Sequence, residues 1–255
     1  MRCRTDAGKE ETGEAMEAQR LNKFLAHSGV CSRRDADRLI EQGQVEVNGR
    51  TGEPGMQVTE EDEIRVRGEI VRGDRETVVL AFYKPRGVTC TERDSHAEKT
   101  ISDLVDYPVR VTYAGRLDKE SRGLLLLSND GDLIQAMMKG ANLHEKEYIV
   151  RVDREITDAF VEKMAGGIYL EELNVTTREC RVEKLGSHSF KIILTQGLNR
   201  QIKRMCQACG CRVMSLKRVR VMHVELGNLK PGEYRRLDSS DVERLYRDCG
   251  LRKGQ

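Results

Sequence analysis

The 255-residue chain has no stretch of the roughly 18 to 20 continuous apolar residues that a membrane-spanning helix needs, so the expectation is a protein that does not cross a membrane. Its first residues lack the apolar core of a secretory signal: Asp6, Glu10, Glu11, Glu14 and Glu17 stand against Arg2, Arg4 and Lys9. Residues 1–19 read as a disordered acidic tail, and a start at Met16 fits as well, because patterned sequence begins just after it. Proline is scarce, at four residues against 23 glycines, which keeps the chain inside the globular range and outside collagenous or wholly disordered classes. The eight cysteines do not form the dense framework of a small secreted domain; they read as free thiols in a reducing cytoplasm. There is no internal repeat and no low-complexity tract.

A surplus of charge also seems to be missing. The 44 Lys and Arg against 42 Asp and Glu leave a net charge of only +2, which looks unsuited to a polyanionic partner. Counted by segment, the balance is uneven. Residues 196–220 hold Arg200, Lys203, Arg204, Arg212, Lys217, Arg218 and Arg220 with no acid, leaving 37 basic against 42 acidic residues elsewhere. Such a block suits phosphate contacts, with affinity that falls with salt, or else forms a solvated basic face.

After the tail, Leu21, Phe24 and Leu25 recur at helical spacing, with Arg20 and Lys23 on other faces. Ser32 and Asp35 have the form of a capping box, and Ala36, Leu39 and Ile40 continue an apolar face until Gly43 stops it. This second helix carries Arg33, Arg34 and Arg38 near its start. Val45 and Val47 alternate with polar residues before Asn48-Gly49, a strong hairpin dipeptide, and Ile64 and Val66 alternate again beyond it.

Residues 20–67 thus read as two helices and a small hairpin sheet. In Arg20-Leu21-Asn22-Lys23, Cys31-Ser32-Arg33-Arg34, Asp37-Arg38-Leu39-Ile40 and the stretch from Gly43 to Gly49 this segment resembles the S4 RNA-binding domain. The resemblance implies that Arg20, Lys23, Arg33, Arg34 and Arg38 bind RNA; cations at a helix start suit phosphate, aided by the helix dipole. The plainer reading is a solvated face balanced by Glu41, Glu46 and the acids at 60–63.

Residues 68–77 are polar and punctuated by glycine, as a linker would be. Beyond them, 78–83, 148–152, 180–185, 189–194 and 219–226 read as strands, and 132–138, 157–164 and 199–209 as helices. Strands outnumber helices in irregular order, so the expected class is α+β with a mixed, mainly antiparallel sheet flanked by helices, behind a small α/β module. Ser240 with Glu243 reads as the capping box of a last short helix around 242–246, which places a catalytic domain at 78–247 and a tail at 248–255.

Gly115-Arg116-Leu117-Asp118 lies between a strand-like Val111-Thr112-Tyr113 and the apolar run from Leu124 to Leu127, where a loop carboxylate is placed to project into a cleft. Alone, Asp118 is as readily a turn residue or an ion-pair partner of Arg116. With the following Ser121-Arg122-Gly123-Leu124-Leu125-Leu126-Leu127-Ser128-Asn129-Asp130-Gly131, the segment resembles the pseudouridine synthases of the RsuA/RluB/RluE/RluF family. The resemblance extends through Tyr83-Lys84-Pro85-Arg86-Gly87, His144-Glu145-Lys146-Glu147-Tyr148 and Gly197-Leu198-Asn199-Arg200-Gln201-Ile202-Lys203-Arg204-Met205. The forms of the last two segments resemble most the RluF branch, which acts on large-subunit ribosomal RNA.

The resemblance implies isomerisation of uridine to pseudouridine, a reaction that breaks the N1 to C1′ bond, rotates the base and joins C5 to C1′ without cofactor or metal. It implies Asp118 as the nucleophile or initiating base, Tyr148 as the residue that stacks on the flipped base, and a cation that favours the ionised carboxylate. Where the family has arginine, this chain has Lys203, which keeps the charge but loses the planar fork; Arg204 stands beside it as the alternative. Arg116 is implied as the residue inserted where the base leaves the stack, and Arg200 and Arg204 as further RNA contacts. The implied partner is ribosomal RNA, 23S RNA above all, or a precursor ribosomal particle, met by a monomer in the cytoplasm. The competing reading is a catalytically inactive RNA-binding or ribosome-assembly protein, against which the retention of Asp118, Tyr148 and Lys203 argues. Two metal signals fail: Cys206, Cys209 and Cys211 have no second pair to complete a zinc site, and His144-Glu145 lacks the second histidine of HExxH, because position 148 is tyrosine.

Overall fold

The computed structural model describes residues 18–73, 76–91 and 99–251. Met16, nearly all of the expected N-terminal tail and the last four residues of the expected C-terminal one lie outside the described residues. The chain divides after Arg75 into two compact units.

In the first unit, α1 (Leu21–His27) and α2 (Arg33–Glu41) pack on a four-stranded antiparallel sheet of β1 (Val45–Val47), β2 (Arg50–Thr51), β3 (Ile64–Val66) and β4 (Glu69–Val71), in the order β2-β1-β3-β4. Leu21, Phe24, Leu25 and Ile40 from the helices close over Val45 and Ile64. Ser32 caps α2 by accepting the Asp35 N–H at 3.2 Å. Asn48 and Gly49 both hold positive φ, 50° and 74°, as a tight primed hairpin turn demands. Part of the stretch expected to link the modules is the strand β4. A second positive-φ pair, Arg67 and Gly68, folds it back on β3, and a turn opened by arginine carries little turn signal in sequence.

The second unit is built on a nine-stranded mixed sheet. Its strands are β5 (Val79–Lys84), β6 (Thr112–Tyr113), β7 (Arg122–Ser128), β8 (Lys146–Val152), β9 (Arg181–Gly186), β10 (Ser189–Leu194), β11 (Val213–Val221), β12 (Val224–Glu225) and β13 (Tyr234–Arg236). The main path runs β9-β10-β8-β11-β7-β5-β13, with β6 paired to β7 and β12 to β11. Among the described residues, four α-helices accompany it: α3 (Gly131–Met138), α4 (Asp158–Ala165), α5 (Gln201–Ala208) and α6 (Ser239–Asp248).

Leu124 and Leu126 of β7 pack in one core cluster with residues of α3 and α6, whereas Leu125 and Leu127 pack in another with Val88, Cys90 and Leu117. Burial on both faces explains why this strand and β5 read as unbroken apolar runs rather than alternating ones. Ile202, Met205 and Cys206 of α5 pack with Phe160 and Met164 of α4 and with Val150, Phe190 and Ile192 of the sheet.

Among the described residues, the named strands pair antiparallel except β7 with β11, which run parallel through Arg122↔Lys217 and Gly123↔Arg218. At that seam Gly123 has φ +111°, and a Cβ there would lie 2.1 Å from the Arg218 carbonyl oxygen. Only glycine lets the two strands meet, immediately after the Asp118 loop.

The strand expected at 219–226 instead begins at Val213, turns at Met222 (φ 53°) and returns as β12. Its cations hid its first half. The last helix is capped by Asp238, which accepts the Asp241 N–H at 2.9 Å, and Ser240 donates to Asp238 Oδ1 at 2.7 Å instead of capping. An aspartate two residues upstream captures the same free N–H groups with a full charge. Cys249 and Leu251, in the segment expected as a tail, pack into the core beside α6. Among the described residues, no helix is long and apolar enough to cross a membrane.

Candidate active site

Asp118 sits in the loop between β6 and β7. The Ala114 N–H donates to Leu126 O at 2.8 Å, which ties the loop to the sheet, and Leu117 is buried with its N–H directed at Cys90 Sγ, 3.4 Å away. The Ser121 N–H donates to Asp118 O at 3.0 Å and closes a turn. Buried Leu117 on one side and this turn on the other leave Asp118 half-buried.

Beneath the turn lies Lys84, fully buried at the end of β5. Its ammonium donates to Ser121 O at 2.8 Å, Pro85 O at 2.9 Å and Lys119 O at 3.4 Å, and the Gly87 N–H also reaches Lys119 O, at 2.8 Å. Burial pushes the Lys84 ammonium down to about 8; Cys90, Asp118 and Glu120 oppose the shift, and Arg218 adds to it. The segment from Lys84 to Gly87 therefore clamps the Asp118 loop from below.

Helix α5 supplies the cation. With its inner face in the core, Lys203 projects to place Nζ 2.8 Å from Asp118 Oδ2; the two side chains are 19% and 35% exposed. Arg204 turns elsewhere: it donates to Asn199 O at 3.0 Å and pairs with Glu172. Of the two candidates, Lys203 is the one that meets Asp118.

Tyr148 lies on β8 between Ile192 of β10 and Arg218 of β11. It is half-buried and packs against the cluster that holds Leu117 as well as the cluster under α5, which brings it to the region between the loop and the helix. Arg116 is exposed on the Asp118 loop and, among the described residues, has no ion-pair partner. Arg200 is exposed just before α5 with φ 51°.

In the first unit Arg20, Arg33, Arg34 and Arg38 are exposed and Lys23 is half-buried; Arg38 Nη1 stands 3.3 Å from Asp35. The basic block of 196–220 is not one open face. Arg220 lies 2.9 Å from Glu145 and 3.0 Å from Glu147, Arg212 lies 3.6 Å from Asp153, and Arg218 is buried with Nε donating to Leu124 O at 2.7 Å. Burial pushes the thiols of Cys206, Cys209 and Cys211 up, away from the thiolate a metal prefers. Among the described residues, no three His, Cys, Asp or Glu side chains gather as a metal site.

Lys84, Gly123 and Arg218 were not picked out by sequence reasoning as parts of this site. Lys84 did carry a signal: a lysine closing a six-residue apolar run and followed by proline is a cation at a buried strand end.

The RNA pseudouridylate synthase family model matches residues 78–208, and the S4 domain model matches residues 19–64. The chain is 42% identical over 230 residues to the dual-specificity RNA pseudouridine synthase RluF of Escherichia coli strain CFT073, covering 89% of this chain and 78% of that one. It is 36% identical over 233 residues to the ribosomal large subunit pseudouridine synthase B of Bacillus subtilis, covering 89% and 95%. A solved crystal structure of a pseudouridylate synthase superposes with a TM-score of 0.65 at 31% identity, over 89% of this chain and 99% of that one. With its S4 module ahead of the domain that carries the Asp118–Lys203 pair, the chain belongs to the RNA pseudouridylate synthase family.

Proposed function

We propose that this chain isomerises a specific uridine of ribosomal RNA to pseudouridine, that its target lies in 23S RNA, and that it works as a cytoplasmic monomer. The observation that carries the chemistry is the half-buried Asp118–Lys203 pair, held on a loop that Lys84 clamps from below. The choice of RNA follows the relatives, one named for the ribosomal large subunit and another for dual specificity on RNA.

In this reading Asp118 starts cleavage of the N1 to C1′ bond as nucleophile or base, and either role needs a carboxylate fixed in place and charged before the uridine arrives. Lys203, 2.8 Å away, holds it in place. Its ammonium also offsets the like-charge repulsion that an approaching phosphodiester exerts on the carboxylate. The uracil is flipped out of its stack, because neither C1′ nor C5 is accessible within a helix, and the Tyr148 ring receives its face. Arg116, exposed two residues ahead of Asp118, fills the emptied stack. Arg20, Lys23, Arg33, Arg34 and Arg38 of the S4 module hold RNA flanking the target, and Arg200 and Arg204 add phosphate contacts near α5. Bond breaking and bond making balance within one nucleotide, so no cofactor or metal is required.

The decisive experiment maps pseudouridine in ribosomal RNA from cells with and without the gene, then compares naked RNA with precursor particles as substrate in vitro. Identical maps in the two strains would sink the proposal. Lys203 gives a second test. Lys203→Ala is expected to lower kcat/KM about 10- to 100-fold, because it strands the Asp118 charge in a half-buried site, whereas Lys203→Arg should stay within a few-fold of wild type. Tritium release from 5-tritiated RNA reads both, and full activity of the alanine variant would remove Lys203 from the mechanism.

A further inference from the structure

A half-open cavity of about 410 Å³ adjoins the Asp118–Lys203 pair, with Lys203 forming part of its wall. Arg86, Glu120, Arg200 and Arg212 line it together with the β11 residues 213–216. Its size lies within the range of about 300 to 1,000 Å³ usual for small-ligand sites, and its lining has two distinct characters. One is cationic. Four basic side chains face a single carboxylate, and of these Arg86 is held by Glu120 at 2.6 Å, Arg212 by Asp153 at 3.6 Å and Lys203 by Asp118. Arg200 is exposed and, among the described residues, its guanidinium has no acceptor. It also holds φ 51°, a left-handed conformation unfavourable for a side chain of its kind.

The other character is apolar. Met214 is 52% exposed on β11, one of the few large hydrophobic side chains left open, and it lines this cavity rather than the core. A thioether beside a group of guanidiniums suits a ligand that joins a flat aromatic face to a phosphate.

We propose that the cavity is a subsite for the nucleotide next to the target uridine in the RNA strand, its phosphate taken by Arg200 and Arg86 and its base lying against Met214. This inference rests on the reading of Asp118 as the catalytic centre, since Lys203 is what places the cavity beside it. An entering phosphate competes with Glu120 for the Arg86 guanidinium, so the Arg86–Glu120 pair opens as the subsite fills. The flanking nucleotide then helps to choose which uridine reaches Asp118, through contacts that a duplex cannot make.

The test uses a synthetic RNA hairpin around the uridine that mapping identifies, in three forms: intact, abasic at the 5′ neighbour and abasic at the 3′ neighbour. Fluorescence anisotropy gives Kd for the full-length chain and for Met214→Ala and Arg200→Asn; asparagine tolerates the left-handed conformation, so the start of α5 is preserved. One abasic form is expected to bind wild type about 5-fold more weakly. Met214→Ala should weaken the intact RNA by the same factor and then fail to distinguish it from that abasic form. Arg200→Asn should lower the slope of log affinity against log salt by about 0.7, the loss of one single-strand phosphate contact. Additive effects of Met214→Ala and the abasic site, or an unchanged salt slope, would overturn the proposal. Kd reads the cavity and tritium release reads the Asp118 chemistry, so the two fail separately.

Discussion

Asp118→Asn is expected to lower pseudouridine formation by at least about 10⁴-fold while leaving the fold and RNA affinity nearly unchanged. Asparagine matches aspartate in shape but supplies neither a nucleophile nor a base, so whichever way the N1 to C1′ bond is broken the initiating step is lost. The fold tolerates the change because the loop is held from elsewhere. Leu117 is buried, the Ser121 N–H binds the backbone of residue 118 rather than its side chain, and Lys84 grips the carbonyls of Ser121 and Lys119. What the variant loses structurally is one ion pair with a partly exposed partner, worth about 1 kcal/mol or less, so Tm should move by no more than about 2 to 4 °C. Removing a negative charge beside Lys203 leaves RNA affinity equal or slightly higher. Tritium release, anisotropy and thermal unfolding measured on one preparation separate these claims. Turnover at the wild-type rate would refute the mechanism, and loss of binding along with turnover would give Asp118 a structural rather than a chemical role.

The parts of this molecule that were legible in the sequence are those where apolar residues mark burial or a turn residue marks geometry. Leu21, Phe24 and Leu25 announced α1, Asn48-Gly49 announced its hairpin, and the apolar run from Leu124 to Leu127 is the strand that the fold covers on both faces. Asp118 was legible only through its extended motif, because a lone carboxylate in a loop has many ordinary explanations. Charged residues that the fold buries were not legible. Arg218 reads as one more cation in a basic block, yet it lies at the seam of the sheet with its guanidinium on Leu124 O, and with its neighbour Lys217 it hid the first half of the strand that carries them. The same block holds seven cations with no acid among its own residues, and Glu145, Glu147, Glu172 and Asp153, from elsewhere in the chain, engage several of them. Hydrophobic patterning registers the removal of apolar surface from water; it does not register a cation that is buried by donating to backbone carbonyls.

Lys84 is the sharpest case of that kind, and Lys84→Met is expected to lower kcat/KM by about 10²-fold at a stability cost of about 1 to 2 kcal/mol at pH 7. Methionine fills nearly the same space, so little cavity is created, but the carbonyls of Ser121 and Pro85 lose their ammonium donor. Against that loss, the variant no longer buries a charge that its surroundings disfavour, which keeps the net cost small. Activity suffers more than stability, because the clamp sets the height of the Asp118 turn, and a displacement of about 1 Å at a reacting group costs about 10²-fold.

The same residue gives a pH signature with a definite sign. Burial holds Lys84 at about 8 in the folded chain, below its ordinary value of 10.5, so between these values the unfolded chain binds a proton that the folded chain does not. Stability contributed by this residue is therefore lowest below pH 8 and rises from there towards pH 10.5. Lys84→Met lacks the titration, and the stability difference between wild type and variant should widen over that interval in denaturant unfolding at pH 7 and pH 9.5. A difference that stays constant would mean that Lys84 does not titrate there, and full activity of the variant would mean that the loop keeps its position without the clamp.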